Sequence, residues 1–197
     1  MPAIRHLPEG WQETRRVVLT DDRLLARLNL LALIPLGLSA ILMFAWSVLV
    51  YGLRGGIPPG PDIPWGLALV LAIFGVLPVH ELVHAAFIRG IGHTPRLGFK
   101  WDKGVLYATA DQALFTRNQY VTVALSPLVV ISAAGALGLL VLPLGWWWTV
   151  ALAVIFNAGG AIGDLWVSAQ VVKAPRSALV RDTEDGYILY EQLDPTR

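Results

Sequence analysis

The sequence predicts an all-α polytopic membrane protein: four transmembrane helices with a small cytoplasmic hairpin or flap between helices two and three. Three observations predict it. The 197 residues are 55% hydrophobic and only 15% charged, where a soluble domain carries about 25% charge. The apolar residues gather in four blocks, each long enough to cross a hydrocarbon layer of roughly 30 Å. The basic residues stand almost wholly on one side of those blocks. A chain with no cysteine is not a disulfide scaffold, and 15 basic against 14 acidic residues argue against a nucleic-acid partner.

The first block covers residues 28–50, interrupted among polar types by Asn29, Ser39 and Ser47. Arg15, Arg16, Asp21, Asp22, Arg23 and Arg27 precede it. The block is longer than a signal-peptide core and ends in no small-residue cleavage pattern, so it reads as a retained span. Gly55, Gly56, Pro58, Pro59, Gly60 and Pro61 then impose a loop, because glycine adds backbone freedom and proline removes donors.

The second span begins near Pro64 and runs to about residue 88, with Pro78, His80, Glu81 and His84 inside it. Residues 96–107 alternate loosely around Asp102-Lys103-Gly104, which predicts the hairpin or flap. The third span covers residues 119–142 with Pro127 inside. After Pro143-Leu144-Gly145, Trp146, Trp147 and Trp148 form an interfacial belt leading into the fourth span, which ends near residue 172. The expected organisation is an N-terminal cytoplasmic segment at 1–27, a four-span domain at 28–172 and a cytoplasmic tail at 173–197. Within that tail, Tyr187 to Tyr190 suit a short strand.

Fourteen of the fifteen basic residues fall before span one, between spans two and three, or after span four, leaving Arg54 for the opposite side. Basic loops stay cytoplasmic. The sequence therefore predicts an integral protein of the cytoplasmic membrane with both termini in the cytoplasm.

His80-Glu81-Leu82-Val83-His84 has the H-E-x-x-H spacing, which puts two imidazoles one turn apart on a helix face with a carboxylate beside the first. Neutral imidazoles hold Zn2+, and Glu81 suits the general base that takes a proton from the attacking water and passes it to a leaving amine. Three ionisable side chains in hydrocarbon need a metal, a cavity or partners. A His–Glu network that only braces helices would not need this spacing.

The best third ligand is Asp164, the one acidic residue in span four. It lies nine residues before Lys173, as His80 lies nine before Arg89, which gives the two similar depths. Asn157, seven positions before Asp164, falls on roughly the same face, where its amide can hold a substrate backbone or a facing loop. Gly159, Gly160, Ala161 and Gly163 leave a small surface for close packing. His93 is a rival ligand if a turn at Gly90 and Gly92 folds it back. Pro78 and Pro127 are either tolerated kinks or openings for water or substrate, with Asn118, Thr122 and Ser126 as weaker polar candidates.

The HELVH motif followed by Asn157-Ala158-Gly159-Gly160-Ala161-Ile162-Gly163-Asp164 resembles the site-2 protease group of intramembrane zinc metalloproteases. The four-span size and the G-G-A-x-G-D ending look closer still to the small DUF3267 family of zincin peptidases. That resemblance implies zinc held by His80, His84 and Asp164, Glu81 as general base, and Asn157 as a residue that helps position substrate. It also implies cleavage of peptide bonds in or near membrane-spanning segments of a membrane protein or peptide. The chain departs from the site-2 pattern in lacking the proline of N-x-x-P and in having Leu165 after Asp164.

Two other functions use the same ligands: a zinc-dependent membrane hydrolase of lipid or another amide or ester, and a metal-ion transporter or sensor. Transport needs a polar path through the whole membrane, and the outer halves of spans two and four carry few polar groups.

Overall fold

The computed structural model describes residues 4, 6–19, 21–56, 60–101, 104–110, 113–183 and 186–192. Strand β1 (Trp11–Val18) leads to α1 (Asp22–Leu31), α2 (Leu33–Arg54) and α3 (Trp65–Ile91). The chain then forms β2 (Arg96–Lys100), β3 (Val105–Thr109), β4 (Leu114–Thr116) and α4 (Arg117–Val141). After a short 3-10 turn come α5 (Trp147–Gly160), α6 (Ile162–Val171), β5 (Leu179–Thr183) and β6 (Gly186–Gln192).

Among the described residues helix takes 63% and strand 19%, which corrects the all-α expectation. The physical reason is non-local pairing. β1 is a charged, exposed segment that no local pattern marks as a strand, and it becomes one by pairing antiparallel with β6, Val17 opposite Tyr187 and Arg15 opposite Leu189. The four-stranded sheet has the order β1-β6-β5-β4, and β2 with β3 makes a separate two-stranded hairpin.

Among the described residues, three helical stretches are long and apolar enough to cross a membrane: Asp22–Arg54, Trp65–Ile91 and Arg117–Val141. The expected fourth span is a bent pair, Leu144–Gly160 with Ile162–Val171, so the number is four only if that pair is one span. Between 17% and 28% of each long apolar window is buried. Their apolar surface is therefore turned outward, as a lipid-facing helix requires and a soluble core helix does not.

The chain divides into two compact units. One comprises Leu28–His80 and Pro127–Ile162. In it Met43, Leu139, Trp147, Ala151 and Val154 pack together. Arg54 donates to the carbonyls of Leu139 and Leu142, satisfying the end of α4 where the helix leaves its acceptors unpaired.

The other unit comprises Met1–Arg27, Glu81–Ser126 and Gly163–Arg197. Strand β6 is buried on both faces. Tyr187 and Leu189 point into a cluster with Ile88 of α3, Tyr120 and Val123 of α4, and Val167 and Val171 of α6. Ile188 and Tyr190 point the other way, against Leu114 and Leu179. This is the period-two alternation of a strand with two cores. Its consequence is positional: the inner sheet face binds together the stretches of α3, α4 and α6 that carry the candidate site.

Asp182 of β5 ties this unit further. One carboxylate oxygen accepts from Thr109 Oγ1 at 2.7 Å and from the Ala110 N–H at 2.9 Å, and the other from the Tyr120 hydroxyl at 3.4 Å. Burial pushes its carboxyl up from the ordinary value, against the lowering effect of those bonds. A carboxyl raised in the folded state holds its proton more tightly folded than unfolded. Its contribution is therefore fully present below the unfolded pKa and lost as pH rises through the folded one. Thermal unfolding followed between about pH 4 and 7 should show the wild type losing Tm with rising pH relative to Asp182→Asn. Parallel profiles would contradict the burial effect.

Candidate metal centre

α3 carries His80, Glu81 and His84 on consecutive turns. The helix continues unbroken through Pro78 to Ile91 and ends at Gly92, whose φ of 99° is a left-handed conformation that glycine adopts without strain. Both histidines are buried, 9% and 8% exposed, and each has its Nδ1 engaged. His80 Nδ1 lies 2.9 Å from Asn157 Oδ1, and His84 Nδ1 lies 2.9 Å from the Val123 carbonyl.

Both partners are acceptors, so each Nδ1 donates, and Nε2 is the nitrogen by which each neutral ring would bind an ion. Asn157 has its orientation set in turn, because its Nδ2 donates to the Pro127 carbonyl at 3.3 Å. This is the arrangement by which outer partners hold a metal-binding imidazole in one tautomer.

The acceptor for His84 has a cause in the sequence. Pro127 lacks an N–H, so in α4 the carbonyl four residues earlier, that of Val123, receives no helical bond from it. That carbonyl accepts from His84 and from Ser126 Oγ at 2.7 Å. One proline thus frees the carbonyl that orients His84 and offers its own carbonyl to the amide that orients His80. Sequence reasoning marked Pro127 only as a kink or an opening. The available signal was the i−4 carbonyl that an intrahelical proline releases. Of the polar candidates beside it, Ser126 is buried at the site, whereas Asn118 and Thr122 are exposed.

α5 ends at Gly160, and the Ala161 N–H turns back to the carbonyls of Asn157 and Gly159. Restarting the helix at Ile162 puts Asp164 in the first turn of α6, where the N-terminal end of the helix dipole favours a carboxylate. Asp164 Oδ1 lies 3.5 Å from His84 Nε2. The possible ligand atoms of His80, His84 and Asp164 all lie within 4.8 Å of one another. His93 is not in that group; its ring meets the ring of Phe115 edge-on, with centroids 4.6 Å apart.

The donor set fits zinc. Ligands about 2.05 Å from a tetrahedral ion stand about 3.3 Å from each other, close to the His84–Asp164 separation. Two neutral imidazoles and one carboxylate are ligand types that a catalytic zinc takes, with a fourth position left open. Glu81 and Asp164 are half-buried, so the acidic side of the group stays accessible.

The family model described as "Putative zincin peptidase", DUF3267, matches residues 73–179, more than half of the chain. The chain belongs to this family. The matched stretch contains His80, Glu81, His84, Pro127, Asn157 and Asp164 together, so membership and geometry bear on the same residues. No curated protein and no solved structure matches the chain.

Partners behind a metal-binding histidine typically change metal affinity about 10–100-fold when removed. Asn157→Leu should weaken zinc binding by that order in a competitive chelator titration, and Pro127→Ala should weaken it in the same direction by restoring a helical competitor for the Val123 carbonyl. Affinities equal to wild type in both variants would show that these bonds do not prepare the site.

Proposed function

We propose that the protein is an intramembrane zinc endopeptidase of site-2-protease-like type, cutting peptide bonds in or near membrane-spanning segments. The observation that carries this reading is the pair of buried imidazoles whose Nδ1 atoms are both engaged, with possible ligand atoms of His80, His84 and Asp164 within 4.8 Å of one another. Membership in a zincin peptidase family supports hydrolysis of a peptide bond. The intramembrane setting is supported by the apolar residues that flank the motif on α3: Leu77, Val79 and Leu82 are all exposed.

His80, His84 and Asp164 would hold the ion. Zinc there supplies a Lewis acid that polarises a carbonyl and lowers the pKa of water toward about 7. Glu81 is next to His80 on the same helix and takes a proton as water adds to the scissile carbonyl carbon. It then returns that proton to the amide nitrogen as the C–N bond breaks, so the products are a carboxylic acid and an amine. Asn157, buried and with both ends of its amide engaged, serves this reaction by holding His80 rather than by touching substrate. The positive-inside count supports placing both termini in the cytoplasm and the site in the cytoplasmic half of a cytoplasmic membrane.

The test is cleavage of membrane-spanning peptides by protein reconstituted in lipid vesicles, read by mass spectrometry. Glu81→Gln should keep its zinc and lose about 10²–10⁴ in rate. Undiminished cleavage by Glu81→Gln would remove Glu81 as the base. A zinc-loaded wild type that cuts no peptide but hydrolyses lipid would overturn the peptidase reading.

A further inference from the structure

The β2–β3 hairpin is apolar on one face. Its register sets Leu97 opposite Ala108 and Phe99 opposite Leu106, and directly opposed residues share a face of the ladder. Trp101 follows at the next alternate position and meets Phe99 ring to ring, centroids 4.6 Å apart. The other face is polar. Tyr107 stands opposite Gly98 and lies so close across it that a Cβ at Gly98 would collide with the phenol ring. Lys100 Nζ sits 5.5 Å over that same ring, and Arg96 shares this face by alternation.

Strand β6 has both of its faces covered by core clusters. The apolar hairpin face does not: Leu97 is 52%, Phe99 41% and Trp101 87% exposed. We propose that this face lies in the interfacial layer of the lipid bilayer, as an amphipathic foot beside the ends of α3 and α4.

Continuity with the membrane-crossing helices argues for lipid as the occupant. Four residues separate Ile91, the end of α3, from Arg96, a tether reaching at most about 18 Å. α3 itself has 27 residues and is about 40 Å long, some 10 Å more than the hydrocarbon thickness. Its end therefore stands at headgroup depth, and the tether keeps the base of the hairpin near that level. Residue type argues the same way. Tryptophan and phenylalanine favour the water–lipid boundary, and the arginine and lysine of the opposite face suit headgroup phosphates. An extended peptide would instead use the main-chain edge of a strand.

The proposal rests on the membrane-crossing reading and is independent of catalysis. Because the chain has no cysteine, single cysteines can report position without background. Leu97→Cys, Trp101→Cys, Lys100→Cys and, as a control on the exposed face of α4, Val129→Cys would be labelled with an environment-sensitive dye. The full chain would be reconstituted in vesicles of phosphatidylcholine and phosphatidylglycerol. Labels at 97 and 101 should show blue-shifted emission, quenching by lipids spin-labelled near the headgroup and loss of quenching by aqueous iodide, while the label at 100 stays open to iodide. Two reporting positions keep the test valid if one variant fails to fold.

If 97 and 101 are as open to iodide as 100 while 129 is quenched by lipid, the proposal falls and the membrane reading stands. If 129 is also open to iodide, the membrane reading falls and takes the proposal with it. Protection of 97 and 101 that appears only on adding a membrane peptide would make the face a peptide dock and overturn the lipid assignment.

Discussion

Two imidazoles buried in an apolar helix can bind a metal only if both present a bare nitrogen in the same direction, and the rest of the site depends on how that constraint is met. Each ring must give up its other nitrogen to an acceptor that does not move. The protein supplies one acceptor from the main chain of α4 and one from a side chain of α5, the Val123 carbonyl and the Asn157 amide. Each is fixed through Pro127, by an N–H that it lacks in one case and by its carbonyl in the other. In an apolar surrounding an unmade polar bond is costly. The freed carbonyl and the two histidines therefore solve one another's problem.

The same logic explains the sheet. α3, α4 and α6 each contribute to the site, and the sheet is what packs against all three. Apolar burial there contributes about 1.5–3 kcal/mol for each large side chain fully buried. Tyr187, Leu189, Phe115 and Val180 use it against Ile88, Val123, Val167 and Val171. Asp182 adds a polar fastening between β5, the end of β3 and the first turns of α4. The strands thus tie together the three helix stretches that carry the site.

Much of this was legible in the residues. Long apolar runs marked the helices, and the H-E-x-x-H spacing with an acidic residue at matching depth marked His80, His84 and Asp164, which the fold brings within 4.8 Å. Helical periodicity is local, so it survives reading from sequence. Three things were not legible. The strand at 11–18 exists through a partner some 170 residues away. The fourth apolar block is broken between Gly160 and Ile162, and continuous hydropathy does not mark such a break. The role of Asn157 behind His80 required knowing which way two side chains face, and spacing fixes a face of a helix but not a hydrogen-bond partner.

His80, His84 and Asp164 could hold a zinc ion through two imidazole nitrogens and a carboxylate oxygen. X-ray absorption at the zinc edge of the loaded protein in lipid tests it most directly. The account predicts a four-coordinate nitrogen and oxygen shell at about 2.0–2.1 Å with the outer scattering of two imidazoles, reduced to one imidazole in His84→Ala. An all-oxygen shell, or a spectrum unchanged in His84→Ala, would contradict it.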